Sequence, residues 1–103
     1  MKTSELTDIA LDWAVAKANG EYKPVAVPRY STDWAQGGPI IEREKIDLYQ
    51  STGRICAAMW ENIPGGGRLI AEAKDCPTPL IAAMRCYVAS KLGNDIELPE
   101  GLA

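Results

Sequence analysis

Histidine is missing from this chain altogether. Its absence removes the base of Ser-His-Asp and Cys-His nucleophile activation, and with it the commonest metal ligand of proteins. Cysteine is sparse: Cys56, Cys76 and Cys86 form an odd set with no C-x-x-C pair. They read as small buried apolar residues, with a catalytic or redox thiol as the alternative. No stretch approaches the roughly 18 apolar residues of a membrane span, and the polar start Met1 to Asp8 carries no apolar run of a signal peptide. The expectation is a soluble protein kept in a reducing cytoplasm. Positive charge is also short, with 11 Lys and Arg against 14 Asp and Glu, a net charge of −3. That balance speaks against a non-specific nucleic-acid binder but leaves room for a local basic pocket. Gly65-Gly66-Gly67 lacks the Lys-Ser/Thr pair of a phosphate loop, since Arg68-Leu69 follows, and reads as a hairpin turn. Glu42, Glu44 and Asp47 are interleaved with Arg43 and Lys45, the pattern of a solvated face rather than of paired catalytic carboxylates. These gaps together point to a protein that is not an enzyme and uses no cofactor or metal.

What is present suits one small domain. With 103 residues, 47% of them apolar and 24% charged, the chain has enough for one core and too little for two. Leu6, Ile9, Ala10 and Trp13 fall on one helical stripe, Ser4 or Thr7 can cap its start, and Gly20 supplies a stop, predicting a helix over about 5–19. Residues 20–39 read as an irregular stretch with a short edge strand at Val25 to Val27. Pro39 suits the first position of a short helix through Ile40, Ile41 and Glu44. Alternation from Ile46 to Gln50, a turn at Ser51-Thr52-Gly53, a return strand Arg54 to Trp60, a turn at 64–67 and a strand Leu69 to Ala73 predict an antiparallel meander of about three strands. Thr78 as cap, Pro79 and Gly93 bracket a last helix through Leu92. Within that helix only Arg85, Ser90 and Lys91 are strongly polar, so it must be covered on more than one side. It is either a central helix or a subunit interface, and a homo-oligomer using Ile81, Met84, Tyr87 or Val88 is expected. The tail 94–103 adds an edge strand or frays. The fold class is α+β: a small antiparallel sheet packed with an N-terminal and a C-terminal helix, in a single domain 1–103.

The stretch Arg29 to Pro39 is the strongest candidate for a ligand site. Tyr30 and Trp34 offer flat faces for stacking on a ring, and Gly37-Gly38 permits close backbone approach just ahead of the expected helix start. Arg29 or Arg43 supplies a phosphate partner, Asp33 an acceptor, and Gln36 a further polar group. Arg85 joins this set only where a subunit interface builds the site; otherwise it snorkels or is paired. The structural alternative is a packed loop in which Trp34 plugs the core and Asp33 caps a turn.

Three segments carry a resemblance. Leu11-Asp12-Trp13-Ala14-Val15-Ala16-Lys17, the run from Tyr30-Ser31-Thr32-Asp33-Trp34 through Gly37-Gly38-Pro39 to Glu44, and Pro77-Thr78-Pro79-Leu80 through Leu92-Gly93 resemble the NinX-type family of small phage proteins, of the kind carried in the nin region of P22-like phages. The family pattern often has glycine where this chain has Lys45 and Cys76, which puts the local turn geometry there in question. The resemblance implies a phage or prophage origin and expression inside an infected bacterium; it supplies no activity. The expected function is that of an accessory protein that binds and sequesters a small anionic ligand, a nucleotide-derived immune signal of the host, without catalysis. The competing expectation is a protein-binding inhibitor of a host enzyme or defence protein.

Overall fold

The computed structural model describes residues 1–21, 24 and 26–102. After a short 3-10 turn at Thr3–Glu5 come α1 (Asp8–Ala18), α2 (Trp34–Glu44), β1 (Asp47–Ser51), β2 (Arg54–Ile63), β3 (Gly66–Cys76) and α3 (Pro79–Leu92). The three strands form one antiparallel sheet in the order β1-β2-β3, so the fold is α+β as expected. The edge strand expected at 25–27 falls partly outside the described residues.

Local chemistry explains each boundary. Thr78 accepts a hydrogen bond from the Ile81 amide at 3.1 Å and Pro79 follows it, so α3 begins where the sequence predicts. At the end of α1, Gly20 takes φ 101°, and the amides of Gly20 and Glu21 donate to the carbonyls of Lys17 and Ala16. That bonding is the Schellman closure of a helix. Thr52 and Gly53, with φ of 53° and 80°, close the first hairpin in the left-handed geometry that matches strand twist.

Two expectations need correction. The first concerns α1. The helix starts at Asp8 with Thr7 at its cap position, Leu6 lies before it, and Ile9 is 69% exposed. Leu6 is buried and Ala10 and Trp13 pack partly against the core, but the fully buried face of the helix is Leu11, Ala14 and Val15, the same spacing rotated around the axis. The second concerns α2, which begins at Trp34 rather than at Pro39. The Asp33 side chain accepts from the Ala35 amide at 3.0 Å, and its carbonyl accepts from the Gln36 and Gly37 amides. An aspartate cap of this quality fixes the start five residues earlier and leaves Pro39 inside the helix, where its missing N–H breaks one bond of the ladder.

The core is organised around α3. The sheet covers one side of it, α1 and α2 the other, and Leu80 with every residue from Ala82 to Val88 is buried. Met84, Tyr87 and Val88, expected at a subunit contact, are enclosed by their own chain, and Ile81 is half-buried against the core. Of the two readings open for α3, the central helix is therefore the one realised. The tail is tied down rather than frayed near its start. The Ile96 amide and carbonyl bond to Met1, Lys2 bridges to Asp95, and Ile96 is buried.

The sheet outruns its helix. At about 3.4 Å per residue, strands the length of β2 and β3 extend more than about 30 Å, against about 21 Å for α3. The distal half of the β2–β3 hairpin consequently runs on past the end of α3, and Trp60, Ile63, Leu69 and Ile70 stand exposed there.

Candidate functional site

The loop ahead of α2 is held by a buried polar anchor. Asp12, on α1, accepts through Oδ1 from the Ser31 amide at 2.8 Å and from Ser31 Oγ at 2.6 Å. Both residues are buried, so the two charge-assisted bonds form away from competing water. The chain then turns on itself, with the Asp33 amide donating to the Arg29 carbonyl at 2.9 Å. Gly37 closes over this turn: a Cβ there would stand 2.3 Å from the Tyr30 carbonyl oxygen and 2.7 Å from a Leu80 methyl. Only glycine allows that approach.

This packing distributes the expected site residues. Asp33 is spent as a helix cap. Tyr30 is half-buried against the core. Trp34 does not plug the core: it is 53% exposed on the first turn of α2, its ring 3.9 Å from where a Gly38 side chain would begin. Gln36 is exposed nearby. Gly37 and Gly38 lie within the helix, and the first-turn amides already have partners in Asp33, so no free helix start awaits an anion at these glycines. Arg43 is turned to the opposite end of α2. Its Nε pairs with Glu44 at 2.8 Å, and its Nη2 donates to Asn19 and to the Tyr87 hydroxyl. The bond to Glu44 holds the Arg43 guanidinium above its usual pKa. Arg85 is buried in α3, with Nε donating to the Leu6 carbonyl at 2.9 Å. Arg29, Arg43 and Arg85 thus serve different places, and no single pocket collects them.

Arg29 alone of the three lines a cleft of about 720 Å³ between α1 and the segment that leads into α2. Asp8, Ile9, Asp12, Trp13 and Thr32 share its walls with Arg29. Trp13 and Ile9 lie one helical turn apart, so two residues of the expected stripe build one apolar wall of the cleft, Trp13 while also packing against the core. Lys17 stands over the Trp13 ring at 6.0 Å from its centre. Two residues of the cleft, Asp8 and Ala26, hold left-handed backbone at φ 49° and 51°. That geometry costs a side-chain-bearing residue about 1–2 kcal/mol and recurs at ligand-binding sites. The cleft therefore combines an aromatic wall, one guanidinium and two carboxylates, a set that can stack on a ring, neutralise an anion and accept from an amine or hydroxyl. Trp13 and Asp8 escaped the sequence reading because the helical period fixes a stripe's spacing but not its rotation.

Other chemistry is scarce among the described residues. All three cysteines are buried and free, and burial pushes the Cys86 thiol up to about 12. Burial raises Cys76 as well, opposed by the neighbouring Arg85. Both shifts favour the thiol over the thiolate form. No helix is long and apolar enough to cross a membrane, and no group of three or more Cys, Asp or Glu side chains is placed to hold a metal ion.

No curated protein matches the chain. A family model does, over residues 22–91, a span that takes in the anchored loop, α2, the whole sheet and nearly all of α3. With more than half of its length matched, the chain belongs to the family described as bacteriophage P22, NinX.

Proposed function

We propose that this protein binds a small anionic ligand, a nucleotide-derived signal, in the α1 cleft and holds it without turnover. It would act in the cytoplasm of the infected bacterium as an accessory protein that withdraws an immune signal from the host. The observation that carries this reading is the cleft itself, where Trp13, Arg29, Asp8 and Asp12 converge on about 720 Å³ of space. Such a volume is in the range of small-molecule sites. In this assignment Trp13 takes the stacking role expected of Tyr30 and Trp34, Arg29 receives the phosphate, and Asp8 accepts from an exocyclic amine or a ribose hydroxyl. The direct test is a thermal-shift panel of mono-, cyclic and dinucleotides, including ADP-ribose derivatives, followed by chromatography of the recovered ligand. The reading expects at least one compound to raise the melting temperature and to be recovered unchanged. A flat panel would sink it, and recovery of an altered compound would turn the protein into an enzyme.

A second reading has its own observation. The distal β2–β3 hairpin presents Trp60, Ile63, Leu69 and Ile70 to solvent, the aromatic and aliphatic anchors that protein interfaces favour. Under this reading the protein inhibits a host enzyme or defence protein by docking the arm on it. A homo-oligomer could use this arm too, since Met84, Tyr87 and Val88 of α3 are enclosed. Capture of a stable host partner that Trp60→Ser abolishes, with no nucleotide retained, would favour docking over the cleft.

A further inference from the structure

A second, smaller pocket lies on the far side of α3, bounded by β3, α3 and the N-terminal turn. It holds about 280 Å³, and its walls include Thr3, Ser4, Ala73, Cys76 and Ala89 around Arg85. Arg85 is only 8% exposed, yet no carboxylate lies within ion-pair distance of it among the described residues. Its Nε is used on the Leu6 carbonyl, and the Cys76 thiol beside it is a weak partner. No described buried side-chain nitrogen lacks a partner, so what Nε leaves of the N–H fork opens onto the pocket, where an anion could replace water and bring a charge partner. Lys74, on the rim, is already turned to Glu72 at 3.4 Å.

We propose that this pocket is a carboxylate site, in which the N–H fork of Arg85 donates to both oxygens of a small ligand whose short apolar remainder lies against Ala73, Cys76 and Ala89. The chemistry selects the class. One guanidinium balances one negative charge, planar carboxylates match its fork, and the walls beyond it are largely apolar. A phosphate dianion would leave a second charge facing Glu72, which stands at the same opening. The volume is at the lower limit of ligand pockets, which restricts the occupant to a few heavy atoms or to the end of a chain. This site is separate from the α1 cleft and does not depend on it.

The experiment titrates the intact protein with propionate, with inorganic phosphate and with sodium chloride at matched ionic strength, reading melting temperature and the Arg85 Nε–H resonance. Propionate at tens of millimolar should raise the melting temperature and move that resonance, while chloride and phosphate should do neither. Arg85→Met and Ala89→Leu should each weaken the propionate response roughly tenfold or more, the first by removing the fork and the second by filling the space. If Arg85→Met does not fold, Ala89→Leu decides, because it leaves the guanidinium in place. No response beyond that of chloride, a stronger response to phosphate, or a response unchanged in Ala89→Leu would each overturn the proposal. A short peptide with an apolar C-terminal residue, free or amidated, then separates a chain end from a free acid as the source of the carboxylate.

Discussion

The anchored loop and the distal hairpin solve the problem of apolar and aromatic residues in opposite ways. Between Pro28 and Gly37 the chain is fastened from several directions: Ser31 to Asp12, Asp33 to its own helix, and the Tyr30 carbonyl under Gly37. Between Trp60 and Leu69 the strand pairing is continuous, Ile70 falls in a register shift without a partner, and the apolar side chains there stand exposed. A region that spends its polar groups on itself is a scaffold, and what it leaves beside it, the α1 cleft, inherits a defined shape. A region that leaves its apolar groups unspent contributes little to folding and is free to vary in what it meets.

Substitutions should separate the two regions by size of effect. The largest is expected at Gly37→Ala, where the new Cβ would collide with the Tyr30 carbonyl and Leu80. We expect a loss on the order of 3 kcal/mol or more, or failure to fold, measured by denaturant unfolding. Asp12→Ala should come next, at about 3 kcal/mol, because it strips both bonds from buried Ser31 and leaves its amide and hydroxyl unpaired. Lys45→Gly should act in the other direction. Lys45 ends α2 in the left-handed conformation at φ 54°, and glycine relieves about 1 kcal/mol of that strain. Trp60→Ser should be smallest, within about 0.5 kcal/mol of the parent, since the ring is 52% exposed. A large loss at Trp60 would mean the hairpin is covered in solution and would erase the contrast.

The legibility of the sequence followed the same division. Elements bounded by local chemistry were readable: Thr78 and Pro79 open α3, Gly20 closes α1, and Thr52-Gly53 turns the first hairpin. At position 45 the structure shows a left-handed cap carried by Lys45, the conformation that glycine adopts at least cost. Where a decision depended on tertiary contacts, pattern was insufficient. The rotation of α1 is set by what α3 and the loop present to it, so the period places Ile9 in the core, whereas it is exposed at the cleft, and it does not show that Trp13, packed partly against the core, also lines that cleft. The start of α2 was misplaced because Pro39 is a stronger written signal than Asp33, although the aspartate cap wins energetically. Of the expected site residues Arg29 stays at the α1 cleft, Arg85 lines a separate pocket and Arg43 is paired at the far end of α2, since sequence proximity and charge do not report which way a helix face points.

The chain's tryptophans make the central claim directly measurable, because Trp13 lines the cleft, Trp34 opens α2 and Trp60 sits on the hairpin. Their indole N–H resonances, assigned by single substitution, can be followed by NMR while AMP, ADP-ribose and a cyclic dinucleotide are titrated in turn. The account predicts that a binding compound moves the Trp13 resonance in a saturable way, that Arg29→Ala weakens the response roughly tenfold or more, and that Trp34 and Trp60 stay in place. Saturable movement of Trp34 or Trp60 with Trp13 unmoved, or no movement of any indole across the three compounds, would contradict it.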